Sequence, residues 1–230
     1  MKNIALIPAR SGSKGFVDKN VAKLCGITLI ELAVNVAKNS SKIDDVYIST
    51  DSHQYEQHAK DAGAKSLGLR PKQLAGDNVK TIDVVTHFIQ KFPDEITNLI
   101  LLQPTSPIRT PEQINAMLDQ LYKDNADAVV SIEKINEPHP YKMKVVENGY
   151  ISEFMKDSSS EVPRQLMPDV YKLTGSIYVN RIESLIRDKT FLPEKTTSYL
   201  MEKTINIDSE EDYILLLALH EKKKLDVYGI

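Results

Sequence analysis

The side chains best suited to chemistry crowd into one short stretch. Between residues 10 and 23, Arg10, Lys14, Lys19 and Lys23 stand against a single acid, Asp18. Gly12 and Gly15 let the backbone turn its N–H groups toward a ligand, and concave amide nests of this kind hold phosphate. Amides with lysines suit a polyphosphate; the plain alternative is a solvated loop whose charges serve solubility. The stretch is neither a Walker loop, which needs G-x-x-x-x-G-K-[ST], nor the dinucleotide G-x-G-x-x-G. A second grouping is Asn206 and Asp208, whose spacing points both side chains the same way from an extended segment. Gln103 closes an apolar run, where a buried amide wants a partner. His53, His58, His87, His139 and His220 show no metal-pair spacing, and Cys25 reads as a buried apolar residue.

These groups must be carried by regular elements, and the patterning supplies them. Residues 3–8 (NIALIP) form an apolar run stopped by proline, followed by helical spacing at Leu29, Ile30, Ala33, Val34 and Ala37. A strand at 46–50 precedes a polar helix over 52–62, and a weak strand falls near 66–69. Ile82, Val85, Phe88 and Ile89 make one stripe of a helix over 81–92. A doubly buried strand follows at 98–103. Thr110, Pro111 and Gln113 read as cap, first-turn proline and capping-box partner of a helix reaching about 125. Strands at 128–132 and 175–179 and a last helix over 209–224 complete the pattern. Asn148-Gly149 between apolar runs marks a hairpin within an inserted segment. Such alternation predicts an α/β fold with a mainly parallel sheet, helices on both faces and ligands beyond the carboxyl ends of the strands.

Composition narrows the classes. With 230 residues, 29 Lys+Arg against 32 Asp+Glu give a net charge of −3, so no global basic field draws nucleic acid. One cysteine excludes an internal disulfide and favours a reducing compartment, so a cytoplasmic location is expected. No run approaches the roughly 18 apolar residues of a membrane helix, and the first residues break too early for a secretory leader. No membrane partner is expected.

Taken together, IPARSGSKG at 7–15 with Lys19-Asn20 resembles the signature of the CMP-sugar synthetases, the acylneuraminate cytidylyltransferases and their relatives. Further blocks agree in order: Arg70-Pro71 with Leu74-Ala75 and Asp77, LLQPTSPIRT at 101–110, Arg164-Gln165, GSIYV at 175–179 and IDSEED at 207–212. The resemblance implies one Rossmann-like nucleotidyltransferase domain over 1–230, with an antiparallel dimerisation flap at about 136–172. The implied activity is transfer of CMP from CTP to the 2-hydroxyl of a nonulosonic, sialic-type acid, with Mg²⁺, by a homodimer. Cytidylyl transfer to another acidic sugar such as Kdo, or a nucleotide-binding regulator without turnover, are the alternatives.

By the same resemblance Arg10, Lys14 and Lys19 hold the triphosphate and act in catalysis, Lys14 foremost. Ser13, Asn20, Arg70 and Thr81 line the nucleotide pocket, while Gln103, Lys142, Arg164, Gln165 and Tyr178 meet the sugar. Asp208, with Asn206, is linked to Mg²⁺, although the family usually shows Asp-x-Asp and Asn206 brings no charge. Thr174 departs from the usual Asn and is expected to bear on sugar selection. Second readings remain open. Arg70 before a proline suits a surface loop, Thr81 suits a helix N-cap, and Tyr178 suits core packing. Asp208, with Glu211 three residues on, suits a cap of the last helix, while Ser106 and Arg109 suit turn positions.

Overall fold

A strand whose residues are apolar on both sides has to be covered twice, and that requirement sets the layers. The computed structural model describes residues 1–156, 158–225 and 227–229. β1 (Asn3–Pro8) runs through its centre with Ile4, Ala5, Leu6 and Ile7 fully buried. Ala5 and Ile7 face α1 (Leu29–Asn39), α2 (His53–Asp61) and α4 (Pro111–Lys123). Ile4 and Leu6 face α3 (Thr81–Lys91), α5 (Ile182–Asp188) and Phe92. The alternation along β1 thus divides the core into two layers.

The sheet has seven strands in the order β11-β7-β10-β6-β1-β4-β5. Here β4 is Asp45–Ser49, β5 Lys65–Ser66, β6 Asn98–Leu101 and β7 Ala128–Ile135, while β10 is Val170–Arg181 and β11 Thr196–Met201. Only β10 runs antiparallel to its neighbours β6 and β7; the other pairings are parallel. β10 is longer than GSIYV suggested, and its register against β7 shifts between Leu173 and Tyr178, where Gly175 takes φ +73°. Sequence patterning misses β11 and α5. β11 (TTSYLM) is mostly half-exposed and becomes a strand by pairing with the edge of β7.

Turn and cap chemistry explains the remaining boundaries. Thr28 and Thr110 both close capping boxes, with Glu31 and Gln113. α6 (Glu210–Glu221) is capped by Ser209 with Asp212, which leaves Asp208 free of that duty. Thr81 is not an N-cap: it is the first residue of α3, and Lys80 precedes it without a side-chain cap bond. Cys25 is exposed, contrary to its apolar reading. With Gly26 it forms the two-residue turn between β2 (Lys23–Leu24) and β3 (Ile27–Thr28), both at positive φ as a tight hairpin demands. Asn148 and Gly149 do the same between β8 (Lys144–Glu147) and β9 (Tyr150–Glu153). That hairpin carries exposed Val146, Tyr150 and Ile151, with Phe154 just beyond it. Among the described residues, no helix is long and apolar enough to cross a membrane.

Arg109 supports the loop that follows β6. Its side chain is fully buried, and Nη1 reaches the carbonyls of Gln103, Ser106 and Ser176 at 2.8, 3.0 and 2.9 Å. Burial lowers its pKa to about 9, which still leaves it charged at neutral pH. Gln103 O also accepts from the Ser106 N–H and Ser106 O from Ser176 Oγ, so removing the guanidinium leaves chiefly the Ser176 carbonyl unpaired, and Arg109→Ala is expected to cost about 2 kcal/mol. Urea denaturation reads this directly; a midpoint equal to that of the parent chain would show that Arg109 bears no such load.

Candidate active site

The carboxyl ends of β1 and β6 open into a cleft of about 530 Å³. Arg10, Ser13, Lys14, Lys19 and Asn20 reach it from the loop after β1. Arg70 and Thr81 come from the segment leading into α3, Gln103 from the end of β6, and Asn206 and Asp208 from the approach to α6. Ten of the residues singled out from the sequence therefore meet around one space, although they are spread over almost 200 positions of chain.

The cationic loop is tied at several points. Ser11 donates its N–H and its hydroxyl to Asp51 at 2.9 and 2.7 Å. Burial pushes the Asp51 carboxyl up, but the bonds from Ser11 and the charge of Arg70 outweigh this and hold it low. Asn20 is buried, and its Nδ2 donates to the Arg10 carbonyl at 3.0 Å, so one face of its amide braces the loop. Asp18, the loop's only acid, accepts a hydrogen bond from Tyr55 Oη at 2.7 Å. Gly15 lies against the other side of the cleft: a Cβ there would stand 2.7 Å from the Asp208 carbonyl oxygen. A side chain at that point would push the two walls apart.

Carboxylates meet the cations from outside the loop. Asp77, on the segment before α3, reaches Arg10 Nη2 through Oδ1 and Lys14 Nζ through Oδ2, each at 2.7 Å. The hydrogen bond from Lys14, then that from Arg10, holds the Asp77 carboxyl below its ordinary range. Lys19 Nζ donates to Asp208 Oδ1 and to the Ile207 carbonyl, both at 2.9 Å. Lys14 is 82% exposed along its side chain and Lys19 only 17%. Lys14 is thus free to follow a ligand, whereas Lys19 is held. Arg70 is not a surface residue: it is buried, its Nη2 lies 3.9 Å from Asp51 Oδ1, and its buried Nε has no protein partner among the described residues.

Asn206 and Asp208 touch. Asn206 Nδ2 donates to Asp208 Oδ2 at 2.6 Å, while its Oδ1 accepts from Ser106 Oγ at 2.9 Å and Thr105 Oγ1 at 3.2 Å. Ser106 is therefore more than a turn residue, and Thr105 and Asp77 escaped the sequence reading as members of the site. Their only signal was membership of blocks flanking the more obvious cations.

The residues expected to meet the sugar divide differently. Gln103 lines the cleft and also a side cavity of about 250 Å³, which it shares with Thr81, Tyr178, Leu173, Phe191 and Leu192. Tyr178 is in that side cavity, its ring centroid 5.6 Å from that of Phe191, and burial raises its pKa. Lys142, Arg164 and Gln165 do not line either space. Lys142 pairs with Glu137 at 2.7 Å, and Arg164 and Gln165 occupy an exposed 3-10 turn (Arg164–Leu166) on the flap. Thr174 turns its hydroxyl inward to Ser131 Oγ at 2.5 Å, so its direct bearing is on packing between β7 and β10 rather than on a ligand.

Residues 4–226 match the family model described as Cytidylyltransferase. The chain belongs to the cytidylyltransferase family. It is 33% identical over 227 residues to the CMP-N,N'-diacetyllegionaminic acid synthase of Legionella pneumophila, covering 96% of this chain and 97% of that protein. The N-acylneuraminate cytidylyltransferase of Streptococcus agalactiae is 32% identical over 223 residues, 95% of this chain and 53% of that protein. The chain thus spans about half the length of the streptococcal relative. The solved structure of a CMP:2-keto-3-deoxy-manno-octonic acid synthetase complexed with CTP superposes with a TM-score of 0.73 at 20% identity. That match covers 97% of this chain and 100% of that one, and it bears out the mixed, mostly parallel fold.

Asp77 stands where it would compete with any anion for Arg10 and Lys14. Asp77→Asn is expected to tighten inorganic tripolyphosphate about threefold, the scale of surface ion pairs of which one partner, Lys14, is largely exposed. Calorimetry at low salt measures it, and unchanged or weaker binding counts against the competition.

Proposed function

We propose that the chain transfers CMP from CTP to the 2-hydroxyl of a nonulosonic acid, releasing pyrophosphate, with Mg²⁺ as the metal. The observation that carries this reading is the convergence of Arg10, Lys14 and Lys19 on a cleft walled opposite by Asp208. The relatives named for sialic and legionaminic acids support the acceptor class. A single domain over 1–230, with the flap over 136–172 as an insertion, is part of the same proposal.

The chemistry follows from charge. An in-line attack on the α-phosphorus brings two anions together and builds negative charge on the departing pyrophosphate. Arg10 and Lys19 fix the triphosphate from held positions, and Lys14, the exposed one, moves with the leaving group. Arg70 lines the same cleft, where its buried guanidinium adds to the positive field that favours an anionic nucleotide. Among the described residues no group of three acidic, histidine or cysteine side chains forms a metal cage. One carboxylate, Asp208, 69% exposed along its side chain, fits Mg²⁺, which is commonly held by one or two carboxylates with substrate phosphates. When bound there, the ion would neutralise phosphate charge and polarise oxygen ligands.

Gln103 stands between the cleft and the side cavity, where its amide suits the sugar nearest the reacting hydroxyl. Leu173, Phe191 and Leu192, with the Tyr178 ring, give that cavity an apolar wall matched to N-acyl or deoxy methyl groups. Lys142, Arg164 and Gln165 belong to the flap, whose exposed Val146, Tyr150 and Ile151 form a surface suited to a second copy of the chain. In the proposed homodimer the flap brings these polar residues to a carboxylate-bearing sugar from the partner's side.

Incubating the protein with CTP, Mg²⁺ and a panel of nonulosonic acids, read by product mass, tests the assignment; absence of any CMP-sugar across the panel refutes it. Lys14→Ala is expected to lower kcat about 100-fold or more while circular dichroism stays unchanged, the scale of losing a transition-state charge partner. Sedimentation should report a dimer that Ile151→Asp converts to monomer. A parent chain sedimenting as monomer rejects the dimer.

A further inference from the structure

We propose that Asn206 is a positioning residue and not a metal ligand: it lends its amide N–H to Asp208 while its own oxygen stays bound to Ser106 and Thr105. The inference rests on the nucleotidyl-transfer reading above and refines which atoms of that site face a divalent cation.

Hydrogen-bond direction fixes the amide. An ionised carboxylate only accepts, so the Asn206 atom 2.6 Å from Asp208 Oδ2 has to be nitrogen. The oxygen then faces the hydroxyls of Ser106 and Thr105, both able to donate. Ser106 Oγ also lies 3.3 Å from the Thr174 carbonyl, but its contact to Asn206 is the shorter at 2.9 Å; with Thr105 it occupies the two lone pairs of the amide oxygen, and none is left for a cation. Turning the amide over would press oxygen against carboxylate oxygen. Ser106 cannot easily give way. It is fully buried, its carbonyl is held by Arg109, and its hydroxyl lies where a Cβ on Gly175 would come within 3.2 Å.

An amide in place of a second carboxylate changes the electrostatics of the cleft. Two carboxylates at this separation would require a cation or a proton between them. An amide beside a carboxylate requires neither, because the hydrogen bond and Lys19 already satisfy Asp208 on both oxygens. The nucleotide-free protein is therefore closed on itself at this point. A divalent cation gains enough oxygen ligands only when the triphosphate arrives with it.

Mn²⁺ uptake, counted by the loss of its free paramagnetic signal, provides the first test, with no nucleotide present. The parent chain, Asn206→Ala and Asp208→Asn are expected to take up Mn²⁺ equally poorly. Asn206→Asp is expected to bind at least about tenfold tighter and to melt lower without the cation than with it. Uptake by the parent chain that Asn206→Ala diminishes overturns the proposal, as does an Asn206→Asp chain that folds and gains nothing. The second test uses protein carrying ¹³C at the asparagine side-chain carbonyl, saturated with Mn²⁺ and CTP, and electron-nuclear double resonance. No strong carbon coupling is expected; one that disappears in Asn206→Ala identifies the amide as a ligand and overturns the proposal. CTP binding by calorimetry is recorded separately. Its absence counts against the nucleotidyl-transfer reading, while the nucleotide-free comparison still decides the role of Asn206.

Discussion

Like charges gathered on one short loop repel, and the site is organised around answering that repulsion. Arg10, Lys14 and Lys19 are met by Asp77 and Asp208, each delivered from a different part of the chain. The loop's own acid, Asp18, is instead drawn away to Tyr55. The positive charge of the loop is thereby answered within the chain from two directions. Exposed ion pairs are weak enough to exchange, which suits a binding loop better than a fixed one.

The fold holds these partners at the right distance through its layers. β1 is packed on both faces, so the loop that leaves its carboxyl end starts from a rigid point. Gly15 lets that loop touch the Asp208 carbonyl, and Arg109 braces the segment carrying Thr105 and Ser106 from below. A chain of contacts then runs from Arg109 through Ser106 and Asn206 to Asp208 and Lys19. The side cavity shares Gln103 and Thr81 with the cleft, so the two spaces adjoin.

Much of this was legible locally. Apolar runs and helical stripes located the strands and helices of the parallel half, because a doubly covered strand has a distinctive composition. Capping residues marked Thr110, and Asn148-Gly149 marked the flap hairpin, because those signals act within a few residues. β11 was invisible for the opposite reason: its pattern is weak, and pairing with β7 makes it a strand. Cys25 misled because thiols favour the interior, whereas here the demand for positive φ in a tight turn places it outside.

The sequence by itself determined the alternating α/β order, the cationic glycine loop and the family to which these blocks point. Only the tertiary structure decided that Asp77 answers Arg10 and Lys14, that Ser209 rather than Asp208 caps the last helix, and that the Asn206 amide faces Asp208. The reason is range. Propensity, capping and turn chemistry act between neighbours in the chain, whereas charge pairing and hydrogen-bond direction depend on which distant segments the sheet brings within about 3 Å of one another.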